Sequence, residues 1–327
     1  MKFDLTRHWY RNDFVAFLLW PLSMAFCAIA QWRRRRIERQ GILLSQNAPV
    51  IIVGNITVGG TGKTPMVIWL TQFLKAQGYR VGVVSRGYRG ANTEPLWVTS
   101  DSSVHEVGDE AVIIARRTGV PVYVGADRVS TANLLLANHL IDVIVSDDGL
   151  QHYRLPRDIE IAMIDGDRRF GNGLCLPAGP LREKPSRLRE VDLRLVTGGV
   201  AGEDEYPMTL APGRLVNLHS PGRNRALESM RGLRVHAIAG IGNPERFFRQ
   251  LEQAGLDVIR HPFADHHRFQ ADDLHFTDNL PVLMTEKDAV KCGVFAEPDF
   301  WYLPIEAELP DKVGRIILQK LKEPGIG

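Results

Sequence analysis

The sequence has few cysteines and almost no net charge, and each shortage excludes a class of protein. Its three cysteines, Cys27, Cys175 and Cys292, are odd in number and form no CxxC pair. They predict neither a disulfide framework nor a zinc site, and they favour a reducing, cytosolic setting. The 40 Lys and Arg residues are balanced by 38 Asp and Glu residues, giving a net charge of +2. This balance argues against a general nucleic-acid binder.

The composition is otherwise that of an ordinary globular protein. Hydrophobic residues make up 44% of the 327 positions and charged residues 24%, which argues against long disordered segments. A chain of this length is about twice the usual size of one domain. Two packed domains are therefore expected.

Long uncharged runs are also scarce, and the most hydrophobic one lies near the N-terminus. Residues 14–32 read FVAFLLWPLSMAFCAIAQW and are followed at once by arginines 33–36. As a helix the run would extend about 28 Å, close to the hydrocarbon thickness of a bilayer. The first 40 residues carry eight basic and three acidic side chains, so the rest of the chain has a net charge of −3. Basic clusters of this kind favour the anionic cytoplasmic face of a membrane.

Three interpretations of this segment remain open from the residues alone. Ala28-Ile29-Ala30 resembles a signal-peptide cleavage site, but arginines directly after it would resist translocation. A buried helix of a soluble domain is the second interpretation. The third is a membrane-associating helix, either spanning or, because Pro21 would kink it, inserted at a shallow angle.

A phosphate-binding loop is the strongest local signal. The apolar, β-branched residues 49–54 (PVIIVG) precede NITVGGTGKT, and an amphipathic helix pattern follows over residues 65–77. In this context backbone N–H groups of the loop bind phosphate oxygens, Lys63 neutralises the β- and γ-phosphates, and the Thr64 hydroxyl ligates magnesium. The predicted nucleotide-binding residues are Thr57, Val58, Gly59, Gly60, Thr61, Gly62, Lys63 and Thr64. The loop is a variant, since Thr57 replaces the usual first glycine.

The nucleotide is expected to be ATP. The guanine-reading NKxD pattern is absent, because in Thr285-Glu286-Lys287-Asp288 the lysine directly adjoins the aspartate. ATPases with a second loop lysine would carry it at Val58. An apolar run over residues 141–146 ends in Asp147-Asp148-Gly149, which has the form of a second magnesium-binding motif. A plain strand-end turn is the alternative.

Apolar runs alternating with helical patterns predict βαβ units and a parallel sheet in the first domain. Further strand patterns over residues 234–239, 257–259 and 281–284, with a helical pattern over 244–254, indicate a second α/β domain. The predicted divisions are a membrane-associating helix over 1–36, a P-loop kinase domain over 37–203, and a second domain over 204–327 with linker strands and a C-terminal helix.

Nine sequence strings resemble one family in content and order: GNITVGGTGKTP, SRGY, VGDE, ADR, SDDGLQHYRLPRD, LPAGPLRE, AGIGNPERFF, ADHHRF and TEKDAVK. They resemble the tetraacyldisaccharide 4'-kinases, and the likeness covers most of the chain. The resemblance implies two α/β/α sandwich domains, the first with a P-loop NTPase-type parallel sheet, preceded by an N-terminal hydrophobic helix. It also makes the Thr57 variant an ordinary feature of the family.

The resemblance further implies the activity, its setting and the roles of residues. The γ-phosphate of ATP would pass to the 4'-hydroxyl of a tetraacylated glucosamine disaccharide 1-phosphate at the cytoplasmic face of the bacterial inner membrane. Asp109 would be the catalytic base, with His266 as its partner and Lys63 at the triphosphate. Magnesium would be held by Thr64, Asp147, Asp148 and Glu183, and substrate by Arg86, Tyr88, Arg128 and Arg182.

The expected partners are the lipid disaccharide and inner-membrane phospholipids, with no nucleic acid, and the chain is expected to be a monomer. An alternative from another class is a membrane-recruited P-loop ATPase switch that binds proteins according to its nucleotide state. It predicts slow, partner-stimulated hydrolysis and no phosphorylated lipid.

Overall fold

The computed structural model describes residues 5–11, 13–38, 44–45, 47–87, 94–265 and 267–323. Within these ranges the chain forms two compact units. One comprises residues 1–98, 117–210 and 307–327, and the other comprises residues 99–116 and 211–306. Each domain predicted from the sequence is one continuous segment, with boundaries at 36/37 and 203/204. The second unit of the structure is made of two segments, because it also includes residues 99–116, which carry Asp109.

A nine-stranded sheet forms the centre of the first unit, with the order β15-β8-β7-β6-β1-β5-β2-β4-β3. Its strands are β1 Val50–Gly54, β2 Val81–Ser85, β3 Leu96–Val98, β4 Val122–Val124, β5 Val143–Asp147, β6 Ile159–Asp165, β7 Leu193–Thr197, β8 Tyr206–Pro212 and β15 Ile305–Glu308. The pairings from β8 through β7, β6, β1, β5 and β2 to β4 are parallel, and β3 is antiparallel to β4. Buried strands of a parallel sheet read as continuous apolar runs, as β1 and β5 do.

The helices of this unit are α1 Phe14–Glu38, α2 Lys63–Ala76, α5 Arg128–Asn138 and α8 Asp311–Leu321, while α3 Val104–Val107 and most of α4 Asp109–Thr118 lie in the second unit. Two helices of this unit, α2 and α5, each follow a strand that they pack against. Helix α2 contacts β1, β2 and β5, and α5 contacts β2 and β4. The apolar core beneath them includes Ile52, Leu135, Ile144 and Leu150.

The second unit is built on a six-stranded sheet, with the order β10-β9-β14-β13-β11-β12. Its strands are β9 Leu215–Asn217, β10 Asn224–Arg225, β11 Arg234–Ala239, β12 Asp257–Pro262, β13 Val282–Thr285 and β14 Phe300–Leu303, and its other helices are α6 Pro244–Gln253 and α7 Glu286–Cys292. The four strands β12, β11, β13 and β14 are parallel, and β9 is antiparallel to β14. The predicted mixed α/β class is confirmed, with large, mainly parallel sheets and an N-terminal apolar helix.

The prediction of no disulfide is wrong for two of the three cysteines. Cys27 in α1 and Cys175 are joined by a disulfide across 148 residues of sequence, whereas Cys292 is free and buried. No spacing pattern reveals this pair, because it depends on α1 packing against the segment around Cys175. The Ser23 hydroxyl donates to the Cys175 carbonyl at 2.8 Å in the same contact.

Candidate active site

The phosphate loop lies between β1 and α2, as the sequence predicts. Gly62 precedes the first residue of α2 and adopts a left-handed conformation with φ of 81°, and Gly59 has φ of 116°. Residues with a Cβ rarely adopt these values, so glycine is required at both turns. Pro65 lies in the first turn of α2, where backbone N–H groups have no partner within the helix. Those N–H groups are available to an anion.

A second loop, residues 176–183, packs directly against the phosphate loop. The Val58 N–H donates to the Pro180 carbonyl at 2.8 Å, and the Arg182 N–H donates to the Ile56 carbonyl at 2.7 Å. Thr57 and Leu181 form an antiparallel bridge between these bonds. The LPAGPLRE string, which is uninformative by itself, therefore supports the phosphate loop and places Arg182 beside it.

Parallel pairing of β1 with β5 brings the acidic pair to the same edge of the sheet. Val53 is in register with Asp147, which is buried and accepts a 3.1 Å hydrogen bond from the Ser85 hydroxyl. Asp148 follows with φ of 47°, a left-handed conformation that aspartate tolerates better than most residues. Its carboxylate lies 3.6 Å from the Lys63 ammonium.

Asp148 is the centre of a charged network. Arg182 donates to both Asp148 carboxylate oxygens at 3.2 Å and to the Gln151 side chain at 3.3 Å. Burial alone would raise the pKa of Asp148, but the Lys63 and Arg182 cations together hold that pKa below its ordinary value. Asp148 is therefore ionised at neutral pH, and Lys63 has a carboxylate partner as well as the Asn55 side-chain oxygen at 3.3 Å.

Glu183 extends the network away from Lys63. It accepts a 2.8 Å hydrogen bond from the Gln151 amide, whose nitrogen also donates to the Asn55 carbonyl at 3.0 Å. Tyr153 is hydrogen-bonded to Glu183, and the Arg187 Nε lies 3.8 Å from a Glu183 oxygen. Glu183 is thus linked to the phosphate-loop region through Gln151.

Arg128 is almost fully buried at the start of α5. Its guanidinium donates to the Gly125 carbonyl at 2.9 Å, and its backbone N–H donates to the His152 Nε2 at 3.3 Å. Burial lowers the pKa of Arg128 to about 10, although the Asp147 and Asp148 carboxylates oppose the shift. The guanidinium remains charged at neutral pH. Arg86, at the end of β2, is exposed and close enough to affect the Arg128 charge.

Arg168 is a loop contact that sequence reasoning missed. Its guanidinium donates to the Gly60 carbonyl at 2.8 Å and pairs with Asp165, at the end of β6, at 2.6 Å. The Thr197 hydroxyl donates to the Thr61 carbonyl at 3.0 Å. The only available signal was the position of Asp165 and Thr197 at the carboxyl ends of neighbouring parallel strands, where α/β proteins bind ligands.

Asp109 lies in the second unit and is the first residue of α4. It is 7% exposed, and its carboxylate accepts from the Glu110 N–H at 2.9 Å. Lys287 pairs with the Glu110 carboxylate at 2.6 Å. Burial lowers the pKa of Lys287, but the Glu110 and Asp109 carboxylates outweigh it and raise that pKa well above its ordinary value. A fixed positive charge therefore lies near Asp109. His266 and Tyr88 lie outside the described residues.

Helix α1 packs one narrow stripe against the rest of the first unit. Ala16, Ser23 and Cys27 are buried, and just before the helix the Trp9 indole donates to the Pro177 carbonyl at 3.0 Å. Only 17% of its most apolar window is buried, and it is long and apolar enough to cross a membrane. Its exposed apolar side chains are Phe14, Phe17, Leu18, Trp20, Leu22, Met24, Phe26, Ile29 and Trp32. A monomeric soluble protein rarely exposes so large an apolar surface.

The strand, glycine loop and helix N-terminus, with Asp147 and Asp148 at the end of the neighbouring strand, define a nucleoside-triphosphate-binding protein of the P-loop class. The LpxK family model, described as tetraacyldisaccharide-1-P 4'-kinase, matches residues 15–322.

Two curated relatives carry the name tetraacyldisaccharide 4'-kinase. The protein from Nitrosococcus oceani is 50% identical, covering 98% of this chain and 94% of its own. The protein from Methylobacillus flagellatus is 49% identical, covering 97% and 95%. A crystal structure of LpxK from Aquifex aeolicus, described as an "apo" form in complex with ATP, has a TM-score of 0.80 and 26% identity, covering 93% of this chain and 99% of that one. The chain belongs to the tetraacyldisaccharide 4'-kinase family, a family of ATP-dependent kinases. The predicted resemblance and enzyme class are confirmed.

Proposed function

We propose that this protein transfers the γ-phosphate of ATP to the 4'-hydroxyl of a tetraacylated glucosamine disaccharide 1-phosphate, a step of lipid A synthesis. The observation that supports it most is the phosphate loop with Lys63 3.6 Å from Asp148 and with Arg182 bonded to the same carboxylate. Positively charged groups and loop N–H groups converge there, as phosphoryl transfer requires. Membership of the tetraacyldisaccharide 4'-kinase family supports a lipid disaccharide as the acceptor.

The loop residues 57–64 would hold the triphosphate. The Val58 N–H is already bonded to the Pro180 carbonyl, so the N–H groups of the loop from Gly59 onwards, together with Lys63, would bind the β- and γ-phosphates. Binding ATP would require Lys63 to exchange part of its contact with Asp148 for a phosphate oxygen. Arg182 and Arg128 lie at the same acidic pair, so they would stabilise charge on the transferred group or on the acceptor. Arg86 and Tyr88 are proposed to contact the acceptor sugar.

The residues at this edge fit a magnesium ion. Mg²⁺ is usually held by one or two carboxylates together with substrate phosphates. Asp147 is the last residue of β5 beside the loop, Asp148 follows it, and Thr64 is the second residue of α2. Glu183 is the fourth proposed ligand. It is hydrogen-bonded to Gln151 and would have to move to contact the ion, because no three His, Cys, Asp or Glu side chains form a metal-binding group among the described residues. A bound magnesium ion would neutralise charge on the phosphates.

Asp109 is proposed to accept the proton of the 4'-hydroxyl, with His266 as its partner. The 4'-oxygen forms a bond to the γ-phosphorus, the bond from that phosphorus to the β,γ-bridging oxygen breaks, the proton passes to Asp109, and ADP leaves. Lys287, which pairs with the neighbouring Glu110 carboxylate at 2.6 Å, would place a positive charge near Asp109 during the transfer.

We also propose attachment to the cytoplasmic face of the inner membrane through α1. The helix is bound to the first unit at Ser23 and Cys27, so its exposed apolar side would enter the bilayer at a shallow angle. Arginines 33–36 would add about 1 kcal/mol each of attraction to anionic lipid. Phe17→Ser combined with Ile29→Ser should move the protein from vesicles to the soluble fraction, whereas Ala25→Ser should not. Vesicle binding that survives both this change and removal of residues 1–32 would refute an anchor confined to α1.

The activity is tested with γ-labelled ATP and detergent-dispersed disaccharide 1-phosphate. The expected product is a labelled lipid that mass spectrometry identifies as the 4'-phosphate. ATP hydrolysis without labelled lipid, stimulated by a protein partner, would support the alternative ATPase switch instead.

A further inference from the structure

A second cationic site lies between the C-terminal part of α1 and residues 183–190. A cavity of about 340 Å³ is lined there by Arg34, Arg35, Lys184 and Arg187 and by the carboxylates Glu183 and Glu190. The lining has a net charge of +2. The proposed transfer reaction does not use Arg34, Arg35, Lys184 or Arg187.

Arg187 is the residue that points to a ligand. Its side chain is 3% exposed, and its Nη2 donates to both Glu160 oxygens, at 2.5 and 2.6 Å. Its Nε and Nη1 are buried and have no hydrogen-bond partner among the residues that the structure describes. The Glu183 and Glu190 oxygens lie 3.8 and 3.9 Å from them, beyond hydrogen-bond distance. A buried donor without a partner is costly, and Arg187 lines the cavity, so an oxygen-rich ligand is favoured there.

The remaining charges favour a phosphate. Guanidinium groups match the geometry of phosphate oxygens, and Arg187 and Arg34 both lie in the wall. Arg34 pairs with Glu190 and lies 5.5 Å from the centre of the Tyr153 ring. Glu190 is 53% exposed and can move into solvent, while Glu183 is already held by Gln151. An incoming phosphate would therefore replace the Glu190 carboxylate at Arg34.

The position of the cavity limits the source of that phosphate. It adjoins the end of α1, directly after the apolar segment, where lipid headgroups would lie. Through Glu183 and Gln151 it is also connected to Arg182 in the candidate active site. We propose that this cavity binds a phosphate group carried by a membrane lipid, an inference that rests on the proposed lipid kinase function. The source is either the 1-phosphate of the acceptor or the headgroup of a neighbouring phospholipid.

Two substitutions of opposite sign test the site. Arg34→Gln removes a cation from the cavity, and Glu190→Gln removes the competing carboxylate. Arg33→Gln is the matched control, because it removes the same charge from an exposed position on the same helix outside the cavity. If Arg34 and Glu190 only support each other structurally, both variants should lose function and thermal stability. A phosphate site instead predicts that Arg34→Gln binds the lipid phosphate more weakly and that Glu190→Gln binds it more tightly.

The first arm measures KM in neutral detergent for acceptor with and without its 1-phosphate. Occupancy by the acceptor predicts that Arg34→Gln raises KM about tenfold relative to Arg33→Gln, only when the 1-phosphate is present. The second arm measures flotation with phosphatidylcholine vesicles, with and without phosphatidylglycerol. Occupancy by a headgroup predicts that Arg34→Gln loses more of its phosphatidylglycerol-dependent vesicle binding than Arg33→Gln does.

Equal behaviour of Arg34→Gln and Arg33→Gln in both arms would overturn the proposal. So would a loss of function in Glu190→Gln that matches the loss in Arg34→Gln. If the unmodified protein forms no phosphorylated lipid, the proposed function fails, and the vesicle arm still reports on the cavity.

Discussion

Replacing His152 with glutamine should make the protein more resistant to acid. His152 faces Arg128, Arg154, Arg157 and Asp127, and its ring accepts the Arg128 N–H. Burial, followed by the Arg128 charge, lowers the pKa of His152 from 6.5 to about 4. The imidazole is therefore neutral in the folded protein at pH 5, where in the unfolded chain it is protonated. Stability must fall as the pH drops from about 6.5 towards 4.

The size of the effect follows from these two pKa values. At pH 5 protonation of His152 in the unfolded chain lowers the free energy of unfolding by about 2 kcal/mol, and at pH 7.5 this effect is close to zero. His152 is partly exposed, so solvent screening reduces the expected loss to about 1 kcal/mol. Glutamine retains an acceptor near the Nε2 position but does not titrate.

Urea unfolding at pH 5.0 and 7.5 measures the difference. Carboxylates such as Asp148 also weaken the protein in acid, so the comparison is between variants at each pH. His152→Gln should lose about 1 kcal/mol less than the unmodified protein on acidification, whereas His105→Gln, an exposed control, should not. Equal losses in all three proteins would refute a neutral, buried His152.

Two further predictions concern the transfer reaction. Asp109→Ala should lower turnover at least about a hundredfold while ATP binding survives, because a positioned base typically contributes this much; near-normal turnover would remove Asp109 from that role and favour Asp147. Lys63→Ala should lose measurable ATP binding in calorimetry while keeping its thermal stability without nucleotide, and unchanged affinity would refute phosphate contact by Lys63.

The elements around the phosphate loop could be predicted because their signals are local. The run over 49–54, the glycines and the amphipathic helix pattern correspond to β1, the loop and α2, each within two residues. Asp147-Asp148 is placed by the same logic, since β5 ends where its apolar run ends. Periodicity and turn residues act over a few positions, and a single sequence records them directly.

Contacts that join distant segments could not be predicted in this way. Three such contacts join residues separated by more than 100 positions. They are the hydrogen bond from Val58 to Pro180, the hydrogen bond from Arg168 to Gly60 and the Cys27–Cys175 disulfide. The buried Arg187 is similar, since its sequence neighbourhood resembles an ordinary basic surface turn. Its role depends on α1 covering it, which is a tertiary effect.

Substitution of Asp148 tests whether its carboxylate competes with ATP for Lys63 and Arg182. Its carboxylate lies 3.6 Å from Lys63 and 3.2 Å from Arg182, so ATP must compete with it for both cations. At an effective dielectric constant of about 20, unit charges 3.6 Å apart interact by about 5 kcal/mol. The Asp148 side chain is 31% exposed, and screening and rearrangement reduce the net competition to about 1 kcal/mol.

Asp148→Asn should therefore bind ATP about fivefold more tightly in EDTA, since asparagine also tolerates the left-handed conformation. With magnesium present the same variant should bind ATP more weakly, because a proposed metal ligand has been lost. Calorimetry under both conditions, with Asp101→Asn as an exposed control, separates the two effects. Weaker binding in EDTA would show that Asp148 positions Lys63 and Arg182 for the nucleotide and does not compete with it. Tighter binding under both conditions would assign the metal to Asp147.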